Sequence, residues 1–266
     1  MFFIIFTLCF LMNVKITYSI STNGYIQVPF SSNIPIIDGQ WSSSTEWMDA
    51  SETILENEFN QTAYLRIKHN MTQIFVLIDF VTDHSSSTYD QGGICFDTFN
   101  NGGNLPQDDD YLFGILAGQS PKQVDMYKGT ASGEKPADAW VRIFLPEVIG
   151  RASFSSLNDP YEGSRNHRIY EFCIPCKYLG VASNYGFYAF VCDWHNDTLL
   201  EWPIDSGGIW ERGPVGAYTI PPSPQNLGDI NGDFVPEFPT FLVPLLFMLA
   251  TLVATIVYRR RIRNCK

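Results

Sequence analysis

The residues of this chain that could do chemistry are its carboxylates, four histidines and one Cys-x-x-Cys pair. Asp83, Asp97 and Asp110 each stand at the end of an apolar run, with Asn100, Asn104, Asp108 and Asp109 nearby as further oxygen donors. Carboxylate and amide oxygens suit a hard cation, and carboxylates gathered at one end of a sheet need a cation or full hydration. The pattern predicts a structural calcium held between Asp83, Asp97 and Asp110. Asp229-Ile230-Asn231-Gly232-Asp233 copies the D-x-N-x-D opening of a calcium loop, but its closing glutamate is missing and Glu237 comes too early, so it reads as a turn-rich linker. Cys173-Ile174-Pro175-Cys176 has the spacing of a redox or zinc half-site, without a second such pair or a nearby histidine pair. The four cysteines between the end segments allow three pairings, and a structural staple such as Cys173 or Cys176 to Cys192 is expected. His69, His84, His167 and His195 are scattered, and the chain has no nucleophile elbow, zincin motif, P-loop or dinucleotide fingerprint. Asp193-Trp194-His195 with Glu201 can be drawn as the acid and base of a surface hydrolase, but their separation is not readable from a sequence.

These residues lie on or between short strands. Ala63–Lys68 and Ile74–Phe80 flank His69–Gln73, which reads as a hairpin. Further runs occur at Ile94–Phe96, Tyr111–Leu116, Gln123–Tyr127, Trp140–Phe144, His167–Ile174, Gly186–Trp194 and Gly216–Ile220, each bounded by Gly, Asn, Asp, Ser or Pro. With no long stretch of helical period and no internal repeat, the expected class is all-β, a two-sheet sandwich whose inner faces make the core.

The two ends read differently. Phe2–Met12 is an apolar run of signal-peptide length with small residues after it, although no Lys or Arg precedes it. Near the other end, an uncharged apolar run from Phe241 to Tyr258 is followed by Arg259, Arg260, Arg261, Arg263 and Lys266. This is the pattern of a single membrane span with its basic side in the cytoplasm. Pro236-Glu237-Phe238-Pro239-Thr240 precedes the span, and the three parts together resemble the C-terminal sorting signals read by archaeosortases. That resemblance implies cutting near the motif and transfer of the ectodomain to a surface lipid. The chain thus divides into a signal peptide (1–20), a β-sandwich ectodomain (21–220), a stalk with the sorting motif (221–240), a transmembrane helix (241–258) and a basic tail (259–266).

Between the two end segments 28 acidic residues face 11 basic ones, a net of −17, which repels nucleic acid and anionic lipid. Three sequons, at Asn60, Asn70 and Asn196, fit a glycosylated surface domain.

Ile36-Ile37-Asp38-Gly39-Gln40-Trp41 is similar to the opening of family 9 carbohydrate-binding modules. The order that follows resembles the same family: Ile78-Asp79-Phe80-Val81-Thr82-Asp83, Tyr89-Asp90, Ile94-Cys95-Phe96-Asp97, Asp108-Asp109-Asp110-Tyr111, then Trp202-Pro203, Trp210 and Gly216-Ala217-Tyr218. The resemblance implies a jelly-roll-like sandwich that holds a sugar ring between two aromatic faces and uses calcium structurally. By position those faces fall on Tyr89 and Trp210, with Asp90, Glu211 and Arg212 as polar partners for hydroxyls. The expected function is a non-catalytic, surface-displayed module that binds glycan. The alternatives are a structural envelope protein without ligand, a surface glycoside hydrolase, or a haem-binding redox module of the DOMON type. The last rests only on Met71 and His69 with His167 or His195.

Overall fold

A computed structural model describes residues 24–118, 124–161, 165–180, 182–213, 216–234, 248, 249 and 251. Its strands are β1 (Tyr25–Gln27), β2 (Ser51–Glu56), β3 (Thr62–His69), β4 (Gln73–Phe80), β5 (Gln91–Asp97), β6 (Asp110–Leu116), β7 (Asp125–Gly129), β8 (Trp140–Arg142), β9 (Ile149–Phe154), β10 (Arg168–Pro175), β11 (Asn184–Asp193), β12 (Thr198–Trp202), β13 (Ile209–Gly213), β14 (Gly216–Ile220) and β15 (Gly228–Asn231). One short helix, Cys176–Leu179, follows β10. The larger sheet runs β1-β15-β11-β5-β6-β7-β8, with β12 also paired to β11; the smaller runs β2-β3-β4-β10-β9; β13 and β14 form a separate hairpin.

The two sheets share one core, as the all-β expectation requires. Leu65, Ile67, Val76, Ile78 and Phe172 of the smaller sheet pack with Ile94, Phe96, Phe113, Phe187 and Val191 of the larger. Burial does not stop at this inner face. Phe75 and Leu77 of β4 point to the outer side, where they pack with Trp41 and Trp47 of the N-terminal segment. This explains why Ile74–Phe80 reads as a continuous apolar run rather than an alternating one: both faces of β4 are covered. Tyr188, Phe190 and Cys192 of β11 likewise form an outer cluster, with Trp210 and Leu227 packed against it.

The N-terminal segment is held on the smaller sheet by buried acceptors. Trp41 Nε1 donates to Asp79 at 3.0 Å, and Trp47 Nε1 donates to Glu171 at 3.1 Å. The other Glu171 oxygen takes the backbone N–H groups of Asp38 and Gly39 at 2.9 and 2.7 Å. Gly39 has φ +85°, and a Cβ there would meet the backbone of Ala152 at 2.8 Å. The Asp-Gly-x-Trp spacing near the start is therefore a clamp: glycine permits the turn and close approach that bring Trp41 over β4.

The structure corrects two expectations here. The stalk does not begin at Pro221, because β15 lies between β1 and β11 within the larger sheet and Ile230 and Phe234 are buried. Asp229, expected in a turn-rich linker, lies in β15 and accepts a hydrogen bond from Asn100 Nδ2 at 2.8 Å. The expected staple is also absent, since Cys95, Cys173, Cys176 and Cys192 are free and buried. Cys173 belongs to the outer cluster of the smaller sheet, Cys176 to the central core and Cys192 to the outer cluster of the larger sheet. Burial pushes the thiols of Cys173 and Cys176 up to about 12 and about 11, so neither is poised as a thiolate.

The signal peptide (1–20), the sorting motif Pro236–Thr240 and the basic tail 259–266 lie outside the described residues, as does the run 241–258 apart from positions 248, 249 and 251. Among the described residues no helix is long and apolar enough to cross a membrane. Asn60 and Asn196 are exposed and Asn70 half-buried, all three in turns between strands.

Candidate functional site

Three aromatic rings gather where the loops before β5 and after β11 meet β13. Tyr89 is exposed, Trp194 and Trp210 are half-buried. The rings of Tyr89 and Trp194 are 4.9 Å apart and tilted by 40°, and those of Trp194 and Trp210 meet edge to face at 6.3 Å. Tyr89 and Trp210 are thus brought into one array, but Trp194 stands between them. Sequence reasoning placed Trp194 only inside a suspected acid–base pair. Its position at the end of β11, beside a turn, was the available signal for an exposed ring.

Buried carboxylates set the loops that carry these rings. Asp90 Oδ1 accepts the Trp194 backbone N–H at 3.0 Å, and Oδ2 accepts from Ser85 at 3.1 Å and faces Arg168 at 3.4 Å. Asp193 accepts the backbone N–H groups of His195 and Asn196 at 2.7 and 3.2 Å. Asp90 is fully buried, so it positions the loop rather than meeting a ligand hydroxyl, which corrects its expected role at the rim. Glu201, the other half of the suspected hydrolase pair, accepts from Tyr188 Oη and Gly208 N at 2.9 and 3.0 Å. Both carboxylates of that pair act as structural acceptors. Trp210 Nε1 donates to Asp197 at 3.2 Å. Glu211 and Arg212 follow it in β13, and their side chains lie outside those described.

Beside the array, on the outer face of the larger sheet, is an open cavity of about 310 Å³. Its walls include Gln91, Tyr127, Trp140, Phe190 and Thr219, with Asp125 at the polar side. Thr219 pairs with Trp210 across the β13–β14 hairpin and donates to Gln91 at 3.4 Å, so the cavity and the array share a wall. Trp140 Nε1 has no hydrogen-bond partner among the described residues. Burial, then the Asp125 carboxylate, raises the Tyr127 phenol and keeps it protonated as a donor. Flat rings edged by amide, hydroxyl and carboxylate groups match the two faces of a pyranose, an apolar C–H side and a hydroxyl rim.

The predicted metal residues do not converge as one set. Asp97 pairs with Asp110 across β5 and β6, and Asp109 joins them. Asp83 stands instead with Asp90 and Asp193 at the other end of β5, roughly 23 Å away along seven residues. In the first trio, Asp110 Oδ2 accepts the Gln107 N–H at 2.6 Å, while the buried Oδ1 has no partner. Burial, reinforced by Asp97, Asp109 and Asp108, pushes Asp110 up to about 7. Three carboxylates with an orphaned oxygen among them fit a hard oxygen-seeking cation such as calcium. Of the three histidines named for the haem alternative, His195 is exposed and the other two are engaged elsewhere. His69 is packed between Phe30 and Phe234 and accepts the Met71 N–H, and His167 is enclosed by Asp79 and Asp159.

No family model matches the chain, and no curated protein matches it. Among the solved structures that are similar are two carbohydrate-binding proteins. A family 9 carbohydrate-binding module from Caldicellulosiruptor kristjanssonii, in complex with cellotriose, is 14% identical with a TM-score of 0.49, covering 81% of this chain and 97% of its own. A protein from Bacteroides uniformis described as carbohydrate-binding is 13% identical with a TM-score of 0.45, covering 78% of this chain and 98% of its own.

Proposed function

We propose that this chain is a non-catalytic carbohydrate-binding β-sandwich of jelly-roll type, displayed at the cell surface and held or sorted through its C-terminal segment. The observation that carries the reading is the array of Tyr89, Trp194 and Trp210, fixed by buried Asp90 and Asp193 and opening beside the cavity at Gln91 and Tyr127. Rings held open at the ends of rigid strands are ready to stack on sugar before it arrives, which lowers the ordering cost of binding. Asp193 and Glu201, the pair drawn as a hydrolase's acid and base, accept from backbone and tyrosine donors, which favours binding over cleavage at that pair.

The full-length protein should bind at least one member of a panel of neutral oligosaccharides that includes cellotriose, measured by titration calorimetry and glycan array. Trp210→Ala should weaken that binding about thirtyfold or more, as expected for a stacking ring worth roughly 2 kcal/mol. A panel with no binder, or a Trp210→Ala variant that binds as well as the parent, would remove the array from the mechanism.

A further inference from the structure

We infer that Asp79, Asp159 and His167 form a structural site for one divalent transition-metal ion, zinc being the ion best suited to their donors. His167 Nε2 lies 2.7 Å from Asp79 Oδ1 and 2.8 Å from Asp159 Oδ2. All three atoms are buried, and none has a hydrogen bond of acceptable geometry: the ring N–H direction meets neither oxygen. The three side chains are sealed from solvent, at 1% exposure or less. Convergence without hydrogen bonding is what three ligands aimed at a common centre look like.

The surroundings orient each carboxylate toward that centre. Asp79 has its other oxygen held by Trp41 Nε1 at 3.0 Å, and Asp159 has its other oxygen held by the Tyr161 backbone N–H at 2.8 Å. His167 is fixed through its backbone, its N–H donating to Ser155 Oγ at 3.1 Å and its carbonyl accepting from Ser155 N at 2.8 Å. Outer hydrogen bonds that turn one oxygen of each carboxylate inward are the usual support of a metal centre.

Charge argues the same way. Two carboxylates around a protonated ring leave a net negative charge in a region sealed from bulk solvent, whereas a divalent ion with a neutral ring leaves none. One imidazole nitrogen with two carboxylate oxygens suits zinc or a neighbouring first-row ion, with water in the fourth position; calcium takes six to eight oxygens. An ion at about 2.0–2.2 Å from each ligand in tetrahedral geometry sets donors roughly 3.3–3.6 Å apart, so loading requires the ring to draw back from each carboxylate by about half an ångström or somewhat more. The site would join β4, the segment after β9 and the start of β10 beneath Trp41. It does not depend on the carbohydrate reading.

The test uses full-length protein purified without a metal-binding tag. Elemental analysis should find one zinc per chain, lost in His167→Gln and in Asp159→Asn with calcium content unchanged. Dipicolinate should lower the melting temperature by several degrees, zinc but not magnesium should restore it, and cobalt should give visible d–d absorption that His167→Gln lacks. If His167→Gln fails to fold, the metal content and chelator response of the unaltered chain decide. A zinc-supplemented protein that holds no zinc, takes up no cobalt and melts identically with chelator would overturn the inference, leaving an imidazolium between two carboxylates.

Discussion

Trp41 and Trp210 both donate an indole hydrogen bond to an aspartate, and they should answer truncation in opposite ways. Trp41 is fully buried against β4, so Trp41→Ala should cost about 3–5 kcal/mol of folding stability and leave Asp79 without its outer donor. Trp210 is half-buried, and Trp210→Ala should lose binding with little change in melting. Thermal melts of the two variants beside calorimetry separate the roles; collapse of the fold in Trp210→Ala would make that ring part of the core. Sequence order singled out Tyr89 and Trp210 but not Trp194, because a tryptophan ending a strand looks the same whether it caps a core or faces outward. Asp90 was misplaced at the rim for a related reason: position next to an exposed ring says nothing about which way the following side chain turns. Here it turns inward, toward Arg168 and the Trp194 backbone.

At the level of single elements, β5 carries a carboxylate trio at each end, and the two should respond to different variables. At the end holding Asp83, Asp90 and Asp193, burial and then the charges of Asp90 and Asp193 push Asp83 up to about 7, while Arg168 faces only Asp90. The folded state then binds more protons than the unfolded between about pH 4 and 7, so stability falls as pH rises through that window. Asp83→Asn should flatten the fall and make the protein more stable than the parent at pH 8, by an amount on the order of a few kcal/mol. Denaturant titrations from pH 4 to 8 would show it; equal slopes for parent and variant would exclude Asp83 as the source. At the other end, Asp97, Asp109 and Asp110 should take calcium, which at a hundredfold excess over its dissociation constant adds about 2.7 kcal/mol of stability. Identical melts in millimolar calcium and in chelator would rule that out. The strands themselves were legible where the apolar run was long, as in β3, β4, β6, β10 and β11. Among the strands that escaped, β15, β2 and β9 did so for different reasons. β15 offers only Ile230 among Gly, Asp and Asn, so its composition reads as turn although its neighbours in the sheet enforce a strand. β2 and β9 alternate, but with Ser, Thr, Glu, Gly and Arg in most positions, and only pairing with β3 and β10 reveals them.

Across the whole molecule, the correction at β15 changes the distance between the sandwich and the membrane-length run. The folded body extends to Phe234 rather than ending near Ile220, so six residues, 235–240, separate it from Phe241. Fully extended, they reach about 20 Å at most. Pro236–Thr240 lies between the last described strand and the apolar run, so cutting there would leave every described strand intact. The mature protein should therefore lack Phe241–Lys266. Intact mass of protein extracted from the cell surface measures this directly, and peptide mapping checks it independently. Peptides from the arginine-rich end in the mature form would show instead that the span is retained and that the sandwich works close against the lipid.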